Sequence, residues 1–176
     1  MIKQGNRLDV VIGRKHGAID WLVQFANGEA IRAYDEIIHR VDAFVIGSGT
    51  YEKVLAFPSW PYEKKVFVLS TTIKQVPETV REKITILSMK PGELLGYLSG
   101  KGFSTIYIDG GKVIQDFLKE DLIDELIISK TPVLIGNGIP LFGCLDKDLQ
   151  FKHIRTESCS NGLVRSYYER KRNRTW

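Results

Sequence analysis

The chain has 176 residues, 43% of them hydrophobic and 26% charged. That size and balance fit one globular domain with a sizeable core and exclude a disordered chain, a fibre or a coiled coil. The net charge of +4 is concentrated at the end, where residues 170–176 (RKRNRTW) carry four positive charges and no acid, so the body is neutral and nucleic-acid binding is not expected.

This organisation predicts a domain over 1–169 and a solvated basic tail over 170–176. Cys144 and Cys159 are too few for a disulfide framework. His16, His39 and His153 are scattered and give no metal-ligand spacing. The thiols read as buried and inert in a reducing cytosol. The opening MIKQGNRLD lacks the apolar core of a signal peptide, and no apolar run approaches the ~20 residues that span a bilayer. The expectation is a cytoplasmic protein with no membrane partner.

Residues 8–13 (LDVVIG) are strand-like and run into the polar turn Arg14-Lys15-His16-Gly17. From Ala30 to Val41, the residues Ile31, Tyr34, Ile37, Ile38 and Val41 are spaced for one helical face. DAFVIG (42–47) is an apolar run ended by glycine, and Thr50 to Phe57 is helical, stopping before Pro58. KVFVLS (65–70), Ile84 to Leu87 and TIYID (105–109) are further apolar runs. Pro91 to Leu98 is a helix with proline in its first turn. Lys112 to Lys119 is another, after Gly110-Gly111. Leu126 to Ile135 is rich in β-branched residues. Leu149 to Ser158 and Leu163 to Glu169 flank Asn161-Gly162, a pair that favours positive φ in a tight turn.

Short strands apolar on both faces and linked by helices imply a parallel sheet. The final hairpin must be antiparallel. The expected fold is a single α/β domain: a mixed, mostly parallel sheet flanked by helices, with a C-terminal antiparallel hairpin. Its ligand crevice should lie at the carboxyl ends of the strands.

Two glycine clusters fall at such ends, Gly47-Ser48-Gly49-Thr50 and Asp109-Gly110-Gly111-Lys112. Glycine lets a ligand approach the backbone. The helix that follows offers free N–H groups and a positive dipole end, the requirements of a phosphate site. Neither cluster is G-x-G-x-x-G or a Walker motif, and each also reads as an ordinary turn.

The segments DVVIGRKHGAIDWL, DAFVIGSGTYEKVLAF, KKVFVLSTT, IYIDGGKVIQDFL and LIDELIISKTPVLIGNGIPLF resemble the dihydrofolate-reductase-like family, in particular the C-terminal reductase domain of bacterial riboflavin-biosynthesis enzymes. The resemblance covers nearly the whole chain. It implies the same mixed sheet, NADPH as cofactor, a small-molecule substrate and a homodimer. Carried over residue by residue, it places phosphate at Gly47, Ser48, Gly49 and Thr50, and the adenosine ribose at Ser70, Thr71 and Thr72. The pyrophosphate falls on Gly110 and Gly111, with amides from Lys112 and Val113.

The chain departs from the family twice. Ser48 stands where many members have arginine, whose planar charged fork binds phosphate. At the front, Arg7-Leu8-Asp9-Val10 holds the place of a serine-leucine-aspartate-glycine turn, and a polar MIKQGN precedes it.

The resemblance makes Asp9 and Asp20, in the loop facing substrate, the candidate catalytic acids. Asp20 also reads as a helix N-cap. Trp21 reads as core or as a stacking wall for a flat ring. Asp35 is the substrate-side acid candidate on the first helix, where Asp35 and Glu36 also read as its solvated face.

The implied function is an NADPH-dependent reductase of a pteridine or pyrimidine. It would act on a C=N bond or a sugar-like carbonyl, in the manner of 5-amino-6-(5-phosphoribosylamino)uracil reductase or dihydrofolate reductase. The other reading is a nucleotide-binding or regulatory protein that keeps the fold without turnover. Thr131 to Phe142 (TPVLIGNGIPLF) is an apolar segment near the sheet's end, to be covered by a two-fold partner or, within one subunit, by the closing hairpin Leu149 to Glu169.

Overall fold

A computed structural model describes residues 11–172. In chain order the elements are β1 (Val11–Arg14), α1 (Asp20–Val23), α2 (Gly28–His39), β2 (Ala43–Gly47), α3 (Ser48–Leu55), β3 (Lys65–Leu69) and β4 (Ile84–Leu87). Then follow α4 (Pro91–Ser99), β5 (Ile106–Asp109), α5 (Gly111–Lys119), β6 (Glu125–Lys130), β7 (Gly138–Pro140), β8 (Phe151–Ser158) and β9 (Val164–Arg170). A 3₁₀ segment over Glu78–Lys83 leads into β4.

The centre is a parallel sheet in the order β4-β3-β2-β5. Its strands are apolar on both faces because both faces are covered. Side chains alternate across the sheet. Ala43, Val45 and Phe67 point to one side and pack with Leu94 and Leu98 of α4 and with Val113 and Phe117 of α5. Phe44, Ile46, Val66 and Val68 point to the other and meet Tyr51 and Val54 of α3, Tyr62 and, at the margin, Ile38 of α2. Phe44, Ile46, Leu94, Leu98 and Phe117 are essentially inaccessible.

The remaining strands are antiparallel, and the expected mixed sheet is divided in its hydrogen bonding. β6, β9 and β8 form one three-stranded piece, and β1 pairs with β7 in another. The β-rich run expected over Leu126 to Ile135 stops at Lys130, ahead of Pro132, which has no amide to give a ladder. Part of the apolar segment that follows returns as β7, a strand that the sequence reading missed, as it missed α1, and pairs with β1.

The hairpin turn is one residue longer than a two-residue loop. Cys159 N–H bonds Leu163 O and Gly162 N–H bonds Cys159 O, with positive φ at Gly162 alone. Asn161 is anchored instead: its Nδ2 donates to Phe25 O at 2.9 Å and its Oδ1 accepts from Leu163 N–H. Glu29 of α2 accepts from Ser160 N–H and Oγ–H, so the hairpin turn is fastened to the start of α2.

Two expectations are corrected. The thiols are not both buried: Cys144 is exposed in an irregular surface stretch and Cys159 is half-buried beside the hairpin turn. The basic end does not leave the domain at residue 170. Arg170 is the last residue of β9, and its guanidinium grips both oxygens of Asp121, at 2.6 and 3.0 Å. Arg172 pairs with Asp124 and donates to Asp121 O. Charge density alone suggested a solvated tail, but Asp121 and Asp124, between α5 and β6, meet Arg170 and Arg172.

Candidate active site

The strand order sets the ends of β3, β2 and β5 side by side, with Gly47 opposite Leu69 and Ile46 opposite Asp109. The turns at Ser70–Thr72, Gly47–Thr50 and Gly110–Lys112 are therefore neighbours. The two glycine turns touch. Gly110 has φ +98°, and a Cβ there would stand 2.7 Å from Thr50 Oγ1 and 3.6 Å from Gly47 N. A Cβ on Gly47 would lie 3.0 Å from Val113 Cγ2. Only glycine allows this approach.

The helices that leave these turns start bare. Gly47 is the N-cap of α3 and Gly110 that of α5, with no side-chain cap and no acid in the first turn of either. Their first N–H groups and dipoles converge on one edge. Around Gly49 the space is open, with nothing within 4 Å of an added Cβ. Gly111 differs: its missing side chain makes room for Ile12 of β1, 2.5 Å from where a Cβ would stand. Lys112 turns its ammonium to Asp116 and leaves only its amide to the site.

Ser70 Oγ accepts from the N–H groups of Thr72 and Ile73, which fixes the turn after β3. Lys74 Nζ lies on Thr71 O at 3.0 Å and brings a cation to this turn. An open cleft of about 590 Å³ borders α3, lined by Lys15, His16, Gly49, Lys53 and Ile139 among others. Lys53 Nζ donates to Gly17 O at 2.7 Å and ties the loop after β1 to this helix.

The expected acids are dispersed. Asp9 lies outside the described residues. Asp20 is not an N-cap but the first residue of α1, after Ile19. It is exposed, and its oxygens take Arg14 Nε and Nη2, each at 2.8 Å. Those bonds hold its carboxyl below the usual range, which makes it a poor proton donor. Trp21 is half-buried, and its Nε1 is buried with no partner among the described residues. Asp35 is exposed on α2, and its carbonyl accepts from His39 Nδ1.

The acid that the geometry does bring to the edge is Asp109, which the sequence reading quoted only as part of the turn. It ends β5, and one of its oxygens accepts from Gly110 N–H at 2.7 Å. Burial raises its pKa, with the amide bond opposing. Tyr34, Tyr62 and Tyr107 feel its charge. Burial first, then Asp109 and Asp35, push the Tyr34 phenol up to about 12. A signal was present in IYID: an acid that ends a run of apolar strand residues and directly precedes paired glycines. Among the described residues no group of three or more His, Cys, Asp or Glu could hold a metal, and no helix is long and apolar enough to cross a membrane.

The family model described as "RibD C-terminal domain" matches residues 7–165. An uncharacterized protein of Bacillus subtilis, YwjB, is 35% identical over 148 residues, which cover 82% of this chain and 83% of that one. A crystal structure of a Shewanella protein provisionally assigned to riboflavin biosynthesis superposes with TM-score 0.87 at 42% identity, over 94% of both chains. The Thermotoga maritima diaminohydroxyphosphoribosylaminopyrimidine deaminase/5-amino-6-(5-phosphoribosylamino)uracil reductase shares the fold, with TM-score 0.72 at 14% identity over 92% of this chain and 53% of that one.

Proposed function

The chain belongs to the RibD C-terminal domain family, and from that premise we propose that it is an NADPH-dependent reductase of a small heterocycle. The observation that carries the reading is the meeting of two bare helix starts, α3 and α5, across Gly47 and Gly110 at one sheet edge. Linked phosphates match such a pair in charge and in donors. The residues fit the cofactor: open space at Gly49, amides of Ser48 to Thr50 and of Gly111 to Val113, and the Ser70–Thr72 turn for the ribose. When bound, NADPH would supply the hydride. Ser48 brings no charge, and Lys74 is the cation at the neighbouring turn that would answer a 2′-phosphate.

Asp109 is the candidate proton donor. Its desolvated carboxyl favours the neutral form, and a neutral acid beside a hydride acceptor can protonate the substrate nitrogen or oxygen as hydride arrives. The proton comes from the carboxyl, and the resulting carboxylate keeps the Gly110 N–H bond. Pairing of two chains belongs to the same proposal. β7 uses part of the apolar segment internally, but Leu134 is fully exposed. Sedimentation equilibrium should give twice 20.0 kDa; the single-chain mass would reject the dimer.

The test of the reductase reading is fluorescence titration with NADPH and NADH, followed by NADPH oxidation against a panel of pyrimidines and pteridines. Saturable NADPH binding and oxidation with at least one ring compound are expected. Absence of NADPH binding would leave the reading without support.

A further inference from the structure

Among the described residues, the pair β1–β7 forms no ladder with either of the other sheets, yet it reaches both bare helix starts. At α5, Ile12 fills the space beside Gly111, and Gln115 Nε2 donates to Pro140 O at 3.0 Å. At α3 the contact comes from the loop that leaves β1. That loop is closed on itself. Arg14 N–H bonds Ala18 O at 3.0 Å, Gly17 N–H bonds Arg14 O at 2.6 Å, and the Arg14 guanidinium grips Asp20. Arg14 thus fixes the loop through both its backbone and its side chain.

Lys53 fastens this loop to α3. Among the described residues a single hydrogen bond joins the two, from Lys53 Nζ to Gly17 O at 2.7 Å. A bond from an ammonium to a carbonyl is charge-assisted and stronger than a neutral one. Gly17 is shaped for it: the residue is buried, its φ is +75°, and a Cβ there would collide with Lys53 Nζ. Only glycine meets the backbone angle and the close approach together.

What this bond closes is the cleft beside the phosphate edge. Lys15, His16 and Gly17 form one wall, and Gly49, Lys53 and Ala56 form the other. The latter three share one face of the α3 spiral, and Gly49 lies in the uncapped first turn of that helix. The loop therefore stands over the open space at Gly49. We infer that Lys53 is a positioning residue that holds the loop against α3, and that bound cofactor leaves when this bond opens. The inference rests on the reductase reading and adds a gate to it.

The test compares Lys53→Met, which keeps the reach of the side chain and removes the donor, with Lys53→Arg, which keeps donor and charge. Lys53 is exposed, so either replacement leaves the fold intact. NMR relaxation of the backbone amides, in the full chain without cofactor, reads the loop directly. Lys53→Met should show added motion at Lys15, His16 and Gly17, with the amides of β9 as in wild type. Stopped-flow displacement of NADPH, followed by its fluorescence, should give dissociation about fivefold to tenfold faster in Lys53→Met, the loss of one hydrogen bond to a charged group. Association should be no slower. Lys53→Arg should return both readings toward wild type.

Loop amides that move no more in Lys53→Met than in wild type would overturn the inference. So would an unchanged dissociation rate, or slower association with an unmoved loop, which would make Lys53 a direct phosphate ligand. A Lys53→Arg protein that behaves as Lys53→Met does would also count against the catch. If wild type fails to bind NADPH, the reductase reading falls, and the relaxation measurement still scores the bond between Lys53 and Gly17.

Discussion

The helices of eight residues or more begin in two ways. α2 and α4 close their own starts. Asn27 Oδ1 accepts from Ala30 N–H at 2.9 Å, Glu93 takes the amide of Lys90, and Glu120 takes that of Gly92. Each also has an acid in its first turn. α3 and α5 have glycine N-caps, no side-chain cap and no acid there, and they are the two that start at the adjacent ends of β2 and β5. A cap satisfies orphan amides and adds stability. Its absence at two touching helix starts leaves donors and a positive field for a ligand. α5 repeats the contrast within one helix: its far end is closed by Asp121, at φ 57°, and by the Arg170 clamp.

The largest effect expected from disturbing the open side is at Asp109. Asp109→Asn keeps the shape and removes the proton, so turnover should fall about 10²–10⁴-fold while NADPH affinity holds. Stability should respond in the opposite sense. The folded chain holds this proton more tightly than the unfolded one, so the wild-type contribution declines as pH rises from the ordinary carboxylate range to the raised value and is level above it. Thermal melts of the two proteins across that range should converge at the acid end.

Next comes the closed end of α5. Truncation after Glu169 removes the clamp on Asp121 and should lower the melting temperature by several degrees, with cofactor affinity unchanged. Arg170 holds the Asp121 carboxyl below its usual pKa. This share of stability is present above the ordinary carboxylate value and disappears as pH falls through the lowered one. An unchanged melt would mean that the clamp is ornamental. Asn27→Ala, at a capped start, should cost about 1 kcal/mol in denaturant unfolding and leave NADPH binding alone. The smallest effect is at Lys74: Lys74→Gln should weaken NADPH a few-fold and NADH not at all, and equal losses for the two would place the 2′-phosphate elsewhere.

The sequence made the parallel core readable because buried strands and amphipathic helices have local signatures. AFVIG is apolar throughout, KVFVL is apolar after its first residue, and Pro91 marks a helix start. What it hid depends on contacts far apart in the chain. β7 pairs with β1 from more than a hundred residues away, and Arg170 finds Asp121 only after β9 has formed. The glycine turns were legible as turns, but that Gly110 packs on Thr50 follows from strand order, not spacing. Asp20 misled because a loop acid looks alike whether it faces a substrate or, as here, an arginine six residues earlier. Asp109 escaped for the converse reason: the burial that raises its pKa is invisible until the sheet and α2 are assembled.

The central claim is that α3 starts bare in order to hold phosphate, and Gly49→Asp tests it most directly. The space there is open, so the new side chain meets no clash. A carboxylate in the first turn should complement the helix dipole and raise stability by about 0.3–1 kcal/mol. The same charge should repel phosphate and weaken NADPH at least about tenfold. Titration with NADPH and thermal melting of the one variant read both effects. Lost affinity with an equal or higher melting temperature is the predicted result, and wild-type NADPH affinity in a folded Gly49→Asp protein would contradict the account.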